Sequence, residues 1–323
     1  MVVRWIEKLK MEVKNISIVI PSYNGKKLLK RYLPSILNAG KAYSLGKTEF
    51  IIVDDASSDG TVEYLKSNCQ DIKVIEHSAN KGFSISANQG ILAARNRIVV
   101  LLNNDVEIAE DFFLFLPGHF EEEAIFAVRP RIRSGIDDGG NSFENPRIGG
   151  EFRYGFIHVP VIKQSNLHFS FFAGGGASAF DKNKFEELGG FDEMFSPFYF
   201  EDVDLSYRAW KRGWEIIYEP RSLAYHQGGV TISKIYSHRR IYRIAERNKY
   251  FLVWKNITDK KLLLQHVIFI PIRIFAFLAK GKFAPLLGFF SALKKIRPVI
   301  KKRRILKQAA KSTDKEILSL FKE

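Results

Sequence analysis

Residues 50–61 read FIIVDDASSDGT, an apolar run that ends in two adjacent carboxylates and a polar turn. Short runs rich in Val and Ile recur between Asn15 and about Pro130, and longer amphipathic stretches separate them. This alternation is typical of βα units that feed a parallel sheet. The sequence therefore predicts an α/β fold with a mostly parallel central sheet and helices on both of its faces.

The spacing of the apolar residues defines the predicted elements. The predicted strands are Ile16–Pro21, Phe50–Asp54, Lys73–Glu76, Ile98–Leu102 and Phe126–Pro130. The predicted helices are Lys27–Asn38, Thr61–Ser67, Ser84–Ala94 and Asp111–Phe115. Arg131–Gly150 breaks the periodicity and is predicted to be a loop or irregular insertion. Phe169–Gly229, with one clear helix at Val203–Arg212, is expected to cover one end of the sheet.

Composition limits the class of protein. A chain of 323 residues that is 46% hydrophobic can bury a large core, so global disorder is excluded. The single cysteine, Cys69, excludes an internal disulfide framework and a metal site built on paired cysteines, so a reducing compartment such as the cytosol is expected. No secretory signal is expected at the start of the sequence, which lacks an apolar stretch with a cleavage site.

The net charge of +15 is concentrated in one part of the chain. Between Lys260 and Thr313 there are 14 Lys or Arg residues and no Asp or Glu, which leaves about +1 for the remainder. The basicity therefore belongs to a C-terminal extension, residues 230–323. It does not indicate that the body of the protein, residues 1–229, binds nucleic acid.

Polar side chains follow three of the predicted strands, where ligands bind in open α/β sheets. The three loops are Pro21–Gly25, Asp54–Thr61 and Leu101–Glu107. Carboxylates at the end of a strand can accept hydrogen bonds from a base edge or from ribose hydroxyls, which favours a binding role for Asp54 and Asp55. Ser58 and Asp59 are better explained as caps of the next helix, with binding as the alternative.

The third loop carries a carboxylate, Asp105, that is expected to be exposed. A leaving diphosphate needs its charge neutralised, and Mg²⁺ or Mn²⁺ held by one or two carboxylates and by phosphate oxygens does this. Asp105 is therefore the predicted metal ligand, although an Asn-Asn-Asp sequence is by itself more often a turn. His226, beside paired glycines, is a second candidate for a metal or phosphate ligand, and a buried core histidine is the alternative.

Three carboxylates, Glu201, Asp202 and Asp204, fall within four residues at the start of the helix predicted at Val203–Arg212. The helix dipole explains one of them, but their mutual repulsion indicates that at least one serves chemistry. Nearby negative charge raises the pKa of a carboxyl group, which suits a general base that takes a proton from a hydroxyl. Asp202 is the predicted base, Glu201 is the next candidate and Asp204 is the structural member.

Five ordered blocks resemble family 2 glycosyltransferases, especially the rhamnosyltransferase-like members. The blocks are SIVIPSYNG (17–25), IIVDDASSDGT (51–61), NKGFSISANQGI (80–91), LLNNDVEI (101–108) and GGFDEMFSPFYFEDVDLSYRAWKRG (189–213). The resemblance covers roughly Asn15 to Gly229. It implies a GT-A fold, in which residues 15–130 bind a nucleotide sugar and residues 131–229 face the acceptor. It also implies inversion at the anomeric carbon by single displacement.

The resemblance implies which residues hold the nucleotide sugar. Pro21, Tyr23 and Asp54 would line the nucleoside pocket with help from Asp55, and three consecutive glycines would let the sugar approach the backbone. The complete predicted set is Pro21, Tyr23, Asn24, Asp54, Asp55, Asn80, Gly82, Asn103, Asn104, Gly174, Gly175 and Gly176.

The resemblance also implies a divalent cation, Mg²⁺ or Mn²⁺, and a base. Asp105 matches the last carboxylate of the D-x-D metal motif, His226 the histidine that often completes the metal site, and Asp202 the base of the ED motif. One D-x-D carboxylate is missing, because the position reads Asn103-Asn104-Asp105, so a strict cation requirement is an inference. The Q-x-x-R-W motif of processive polysaccharide synthases is absent, which favours transfer of one sugar per encounter.

Two apolar runs of the extension, Leu262–Ile272 and Phe283–Leu293, are shorter than the roughly 20 residues that a membrane-spanning helix needs. They suit helices that lie in the membrane interface, followed by Lys294–Lys311, in which nine of eighteen residues are basic. The sequence therefore predicts a peripheral anchor on the anionic inner face of the cell membrane, near a lipid-linked or cell-envelope acceptor. A solvated basic helix packed on the body, or a contact between subunits, is the alternative.

Two other classes of protein fit the sequence less well than a glycosyltransferase does. A nucleotidyltransferase shares a nucleotide-binding α/β architecture, but it needs a basic, glycine-rich loop for a triphosphate, and PSYNGKKLL (21–29) is a weak match. A non-catalytic membrane or nucleic-acid adaptor would rely on the charged extension alone, and the near-neutral body with its carboxylates argues against it. The predicted partners are a nucleotide-diphosphate sugar, a glycan or lipid-linked acceptor and an anionic membrane, with oligomerisation through the C-terminal helices as an option.

Overall fold

The computed structural model describes residues 13–136, 142–145, 147–162, 168–226 and 236–322. Most of the segment in which no secretory signal is expected lies in residues 1–12, outside the described residues. The two glycines after His226, which are Gly228 and Gly229, also lie outside the described residues. So does the predicted boundary between the body and the extension, at residues 229 and 230.

Thirteen strands and ten α-helices make up the described structure. Strands β1 to β13 are Ile16–Ser22, Thr48–Asp54, Ile72–Glu76, Ile98–Leu102, Val106–Ile108, Ile125–Ile136, Ser142–Asn145, Arg147–Ile148, Glu151–Arg153, Phe156–His158, Val161–Ile162, Ala177–Asp181 and Glu215–His226. Helices α1 to α10 are Lys26–Ala42, Thr61–Asn68, Phe83–Ala93, Lys182–Glu187, Glu201–Lys211, His238–Asn256, Lys260–Ala279, Phe283–Leu293, Ile296–Ala309 and Asp314–Ser319.

One nine-stranded mixed sheet forms the centre of the molecule. Its order is β3-β2-β1-β4-β12-β6-β13-β5, and β7 pairs with β6 outside this path. The predicted parallel pairing holds for β3, β2, β1 and β4, and also for β6 with β13. Strand β12 is antiparallel to both β4 and β6 and so joins the two parallel groups. The predicted α/β class is confirmed, and one end of the sheet is built by the second half of the chain.

Most predicted elements of the first 130 residues form within a few residues of their expected bounds, but one helix is wrong. Asp111–Phe115 forms turns, in which the amide of Phe112 donates to the carbonyl of Ala109, three residues back, at 3.1 Å. Phe112 and Phe113 are both buried, and Pro117 begins a 3₁₀ helix directly afterwards. Burial of two adjacent aromatic rings in the core therefore outweighs the local preference for a helix.

The prediction of a loop at Arg131–Gly150 is also wrong for much of its length. Strand β6 continues to Ile136, because β13 pairs with it as far as Ser134 on one side. Strand β7 pairs with the same part of β6 on the other side. The polar composition of this region hides the strand, and its parallel partner β13 comes from a distant part of the chain. The short strand β5 was missed for the same reason.

The C-terminal helices share a core with the body. Tyr250 and Phe251 of α6 and Phe321 near the C-terminus lie in the same buried cluster as Phe171 and Trp210. The ring of Phe171 meets that of Phe321 edge-on at 5.3 Å. The extension is therefore packed against the acceptor-side half over a continuous apolar interface.

Buried ion pairs strengthen this junction. Asp204 of α5 is fully buried and accepts hydrogen bonds from Arg208 at 2.8 Å, Lys255 at 2.7 Å and Asn256 at 2.8 Å. Lys255 also donates to Asp192 at 2.6 Å. Removing one member of such a network leaves a buried charge without a partner. These contacts support the interpretation of Asp204 as the structural member of the acidic cluster.

Helix α7 corrects the prediction about the length of the apolar runs. Lys260–Ala279 is one continuous helix of 20 residues, since Pro271 and Arg273 do not interrupt it, and by length and composition it could cross a membrane. It is nevertheless tied to the body on one side. His266 is buried and bonds the Gly155 carbonyl at 2.6 Å, and Arg273 pairs with the buried Glu246 at 2.6 Å. The opposite side of the helix is exposed.

Candidate active site

A cleft of about 610 Å³ lies at one edge of the sheet, a size typical of small-molecule sites. Its walls come from the ends of β1, β2, β4 and β13 and from the starts of β12 and α5. The predicted residues that line it are Pro21, Tyr23, Asp55, Asn80, Gly82, Asn103, Asn104, Asp105, Gly175, Gly176, Glu201, Asp202 and His226. The loops that the sequence singled out therefore meet around one cavity.

Three predicted residues do not line the cleft. Asp54 is buried, and its Oδ2 accepts a hydrogen bond from the amide of Ser57 at 2.9 Å. Asn24 is exposed and ties the first two loops together, because its amide donates to Ser57 Oγ and its Oδ1 accepts from the amide of Ser58, each at 2.8 Å. Gly174 comes directly before Gly175, which does line the cleft. These contacts make Asn24 and Asp54 supports of the loops that reach the cleft.

Asp59 was predicted to cap α2, but it lies one residue before the N-cap, which is Gly60, and bonds the starts of two helices. Its Oδ2 accepts from the amide of Lys26 at 3.0 Å, and its Oδ1 accepts from the amide of Thr61 at 3.1 Å. These amides lie at the starts of α1 and α2, where backbone N–H groups lack partners within their helices. One carboxylate therefore joins the starts of both helices below the cleft-facing loops.

Asp55 shapes the loop before α3. Its Oδ1 accepts from the amide of Lys81 at 2.7 Å and lies 2.7 Å from Nδ1 of the buried His77. Its Oδ2 accepts from the amide of Gly82 at 2.8 Å. Both carboxylate oxygens are therefore engaged in holding the loop that presents Asn80 to the cleft.

Asp105 and His226 form the candidate metal site. Pairing of β13 with β5 sets His226 opposite Val106, next to Asp105, and His226 Nε2 lies 3.1 Å from Asp105 Oδ1. The expectation that Asp105 is exposed is wrong, because the loop is packed against β13 and the side chain is buried. Its Oδ1 accepts no hydrogen bond from the described residues. One carboxylate and one imidazole can hold Mn²⁺ or Mg²⁺ if a diphosphate and water supply the other oxygens. No third His, Cys, Asp or Glu joins them in the described part of the chain.

The glycine run before β12 is needed because the chain passes close to other groups. A Cβ atom on Gly175 would lie 2.7 Å from the ring of Phe83, and one on Gly176 would lie 3.1 Å from the ring of His226. The carbonyl of Gly176 also accepts from the amide of Asn103 at 2.8 Å. The run therefore brings the loop after β4 and the histidine together without side-chain interference.

Glu201 and Asp202 lie side by side at the start of α5. Asp202 accepts from the amide of Val203 at 2.8 Å and from the amide of Gly175 at 3.4 Å. Burial raises the pKa of both carboxyl groups, and the charge of Asp202 raises the pKa of Glu201 further. For Asp202 the two amides and the Arg129 guanidinium oppose this effect, whereas Glu201 Oε2 has no partner in the described structure. Asp202 is therefore the member that ionises more readily.

Arg129 of β6 is a buried cation that the sequence did not single out. Its guanidinium lies 5.3 Å from the centre of the Phe172 ring. A Cβ atom on Gly174 would lie 3.2 Å from Arg129 Nη1 and 4.0 Å from Asp202 Oδ2, so one glycine separates the guanidinium from the carboxylate. Burial lowers the pKa of Arg129 to about 10, which still leaves it charged at neutral pH. Nothing in the sequence distinguishes it from Arg131 and Arg133 nearby.

Replacing Arg129 with glutamine is expected to change the pH dependence of the reaction. The positive charge lowers the pKa of Asp202, so its removal raises that pKa further. Because a base acts only when ionised, the acidic limb of the kcat–pH profile should move to higher pH. Arg129→Lys keeps the charge and should move the limb less. A limb that stays in place in Arg129→Gln would show that the two groups are not coupled.

The loop before α5 adds aromatic residues that sequence reasoning missed. Tyr199 and Phe200 have φ angles of 73° and 75°, in a region that bulky residues rarely adopt, so this loop is strained. Asn248 of α6 is fully buried, and its Nδ2 lies 2.7, 3.0 and 2.8 Å from the carbonyl oxygens of Phe195, Phe198 and Tyr199. The cleft-lining residues that were not predicted are Ser22, Phe83, Ser86, Pro197, Phe198, Tyr199 and Tyr236.

The PFYF sequence at 197–200, directly before the acidic cluster, was a signal that could have found part of this wall. Aromatic residues beside a predicted base often present flat surfaces to a ligand. Asn248 offered no such signal, because it lies about fifty residues away in a helix that was assigned to the extension.

A comparison with known protein families identifies residues 17–189, just over half of the chain, as a match to the family described as Glycosyl transferase family 2. The match ends before Glu201 and Asp202, so their roles stay predictions. The chain is 26% identical over 215 residues to the pre-mycofactocin glycosyltransferase of Mycobacterium tuberculosis, a match that covers 66% of this chain and 43% of that protein.

The chain is also 27% identical over 270 residues to the poly-beta-1,6-N-acetyl-D-glucosamine synthase of Staphylococcus epidermidis, which covers 80% of this chain and 61% of that protein. It therefore spans about half the length of these curated relatives.

Among solved structures, a mannosyltransferase from Pyrobaculum calidifontis in complex with GDP-Man and Mn²⁺ superposes with a TM-score of 0.56 at 19% identity. The superposition covers 91% of this chain and 85% of that one. This likeness confirms the GT-A fold that the sequence implied. With the fold and the family match in agreement, the chain belongs to glycosyl transferase family 2.

Proposed function

We propose that this protein is an inverting, non-processive glycosyltransferase that moves one sugar from a nucleotide-diphosphate sugar to a hydroxyl of a cell-envelope or lipid-linked glycan acceptor. The observation that carries the proposal is the convergence of Asp105, His226 and Asp202 on one cleft. The cleft thus offers a site for a diphosphate-bound cation and a separate carboxylate for an acceptor hydroxyl. The rhamnosyltransferase-like subtype belongs to the same proposal.

In the proposed reaction Asp202 is the general base. The acceptor oxygen forms a bond to the anomeric carbon while the bond from that carbon to the diphosphate oxygen breaks, and the hydroxyl proton passes to Asp202. Attack opposite the leaving group inverts the anomeric configuration. The amides of Val203 and Gly175 orient the carboxylate, and Arg129 favours its ionised form. Glu201, which keeps its proton to higher pH, adds no competing charge.

A second set of residues that line the cleft is proposed to hold the donor. Pro21, Tyr23 and Asn80 line it beside the loop that Asp55 supports, which suits a nucleoside. Asp105 and His226 would hold Mn²⁺ or Mg²⁺, and a bound cation would neutralise the charge that develops on the leaving diphosphate. Oxygens of the diphosphate would complete a coordination shell for which the chain supplies two ligands.

We extend the proposal to attachment at the inner face of the cell membrane. Helices α7 and α8 expose many large apolar side chains. They are Leu264, Val267, Ile268, Ile272, Phe275, Leu278, Phe283, Leu287, Phe290 and Leu293. Because Arg273 and His266 fasten α7 to the body, the exposed side suits a helix that lies in the membrane interface better than one that leaves the body to cross the bilayer.

A thermal-shift screen of nucleotide-diphosphate sugars, with and without Mn²⁺, tests the proposal. The matching donor at about 100 times its Kd should raise the unfolding midpoint by about 5 °C, and more with Mn²⁺ than without it. NMR of the transferred sugar should then show the inverted anomer. No shift with any nucleotide sugar would count against a donor site, and a retained configuration would rule out single displacement.

A further inference from the structure

A second, larger cavity lies next to the catalytic cleft. It is a groove of about 1430 Å³ between the start of α6 and both ends of α8. Six exposed cations line it, namely Arg239, Arg240, Arg243, Lys282, Lys294 and Lys295. No Asp or Glu occurs among the described residues that line it.

The charge of this basic groove is not neutralised by the surrounding protein. None of its six exposed cations forms an ion pair with a carboxylate of the described residues, and Arg243 bonds only the hydroxyl of Ser291, at 2.9 Å. Glu246, a carboxylate of the same helix, is buried and already paired with Arg273 and Lys249. The start of α6 also faces the groove and adds the positive end of its helix dipole, whereas α8 borders the groove with both of its ends and adds no net dipole charge. The groove is therefore suited to an anion.

The basic groove and the catalytic cleft are neighbours. Pro197 lines both cavities. The guanidinium of Arg240 in the groove stacks over the ring of Tyr236, a residue of the cleft, at 4.6 Å from its centre. Tyr236 in turn contacts Phe198 at 5.0 Å between ring centres. Only the rings of Tyr236 and Phe198 would thus separate an anion beside Arg240 from the cleft in which the acceptor hydroxyl is proposed to react.

Apolar surface continues from the basic groove. Phe283 and Leu287 line it and are 64% and 50% exposed, and Phe290 lies three residues further along the same side of α8. The neighbouring helix α7 also exposes large apolar side chains. A free phosphate or a nucleic acid would leave this face in water, whereas a lipid would cover it. The charge and the apolar surface together therefore favour a lipid with an anionic headgroup.

We infer that the basic groove binds the phosphate or diphosphate headgroup of a membrane lipid that carries the acceptor, with the lipid chain against α7 and α8. The inference rests on the proposed glycosyl transfer and specifies its acceptor. Arg239, Lys282 and Lys294 neutralise the headgroup, and the acceptor sugar or hydroxyl passes Pro197 into the cleft. The same contact orients the protein on the membrane.

The test measures binding of the full chain to vesicles by flotation. Phosphatidylcholine vesicles are compared with vesicles that also contain a long-chain prenyl phosphate. The triple variant Arg239→Gln, Lys282→Gln, Lys294→Gln should bind the prenyl-phosphate vesicles on the order of 100-fold more weakly than the unmodified protein. With a prenyl-phosphate-linked acceptor, it should also raise the acceptor KM on the order of 10-fold or more, with a smaller effect on kcat.

The matched control is the triple variant Lys301→Gln, Arg304→Gln, Lys307→Gln. These cations of α9 are exposed and have no ion-pair partner in the described structure, so the control loses the same charge outside the groove. Its vesicle affinity should fall by less than about threefold. Equal losses in the two triple variants would mean that net charge alone drives binding, and the inference would be wrong.

Two further ligands test whether the groove binds a phosphate that is not part of a lipid. Inorganic pyrophosphate supplies the headgroup charge without a chain, and a duplex oligonucleotide supplies phosphates in a polymer. If either binds through the groove cations while prenyl phosphate in the vesicle makes no difference, the lipid assignment is wrong. An acceptor KM that the groove variant leaves unchanged would likewise overturn the acceptor role.

The Asp202→Asn protein distinguishes this inference from the proposed function. It should bind the vesicles as tightly as the unmodified protein, although its sugar transfer should be slower by a factor on the order of 10²–10⁴. If Asp202→Asn kept its transfer activity, the base assignment would fail while binding through the groove would stand. If Asp202→Asn lost vesicle binding as the groove variant does, the groove would not be a separate site and the inference would be overturned.

Discussion

Replacing Asp202 with asparagine is expected to lower kcat for sugar transfer by a factor on the order of 10²–10⁴, the range supplied by a general base. Asparagine keeps the size of the side chain, and its one side-chain oxygen can still accept from the amide of Val203, but its NH2 group cannot accept the longer bond from Gly175 and cannot take the acceptor proton. Nucleotide affinity, measured by titration calorimetry, should stay within a few fold, because the residues proposed to hold the nucleoside and the cation are unchanged.

Glu201→Gln is the matched control for this variant. Burial and the neighbouring charge of Asp202 raise the pKa of Glu201, so its carboxyl group is protonated over a wide pH range and glutamine imitates that form. The variant should therefore lose much less activity, within about tenfold. If Glu201→Gln were the inactive protein and Asp202→Asn the active one, the roles of the two carboxyl groups would be reversed.

The strands of the sheet were predictable where a run of apolar residues in the sequence forms one buried strand. The apolar runs that became β1, β2 and β4 are buried along nearly their whole length, as expected of strands in a sheet that is covered on both faces. Strand β12 was not predicted, although all five of its residues are buried. Its neighbours β4 and β6 lie far away in the chain, and the short run ASAFD carries no clear period.

The candidate site was predictable to the extent that its chemistry is carried by side chains in loops after strands. Asp105 and Asp202 stand out because carboxylates at such positions are unusual without a ligand or a helix to stabilise them. Arg129 and Asn248 act through contacts with distant segments, so no local pattern marks them. Asp54 is buried, with one carboxylate oxygen bonded to its own loop and the other without a hydrogen bond from the described residues, so its binding role stays a prediction.

Replacing Asp105 with alanine is expected to weaken donor binding and turnover together, with kcat/KM for the donor reduced on the order of 100-fold or more in Mn²⁺. Asp105 Oδ1 is buried without a hydrogen bond from the described residues and faces His226 Nε2 at 3.1 Å. The variant therefore removes half of the predicted protein ligands. Nucleotide affinity should be titrated at several Mn²⁺ concentrations and again after treatment with a chelator.

Glu107→Ala is the matched control, because it removes an exposed carboxylate two residues further along the same segment. It should keep its donor affinity and its response to Mn²⁺. In the chelated state the unmodified protein and Asp105→Ala should converge, since a metal ligand has no function once the metal is removed. If Asp105→Ala lost the same factor with and without Mn²⁺, Asp105 would contact the donor directly, and the cation would have to be held elsewhere or be unnecessary.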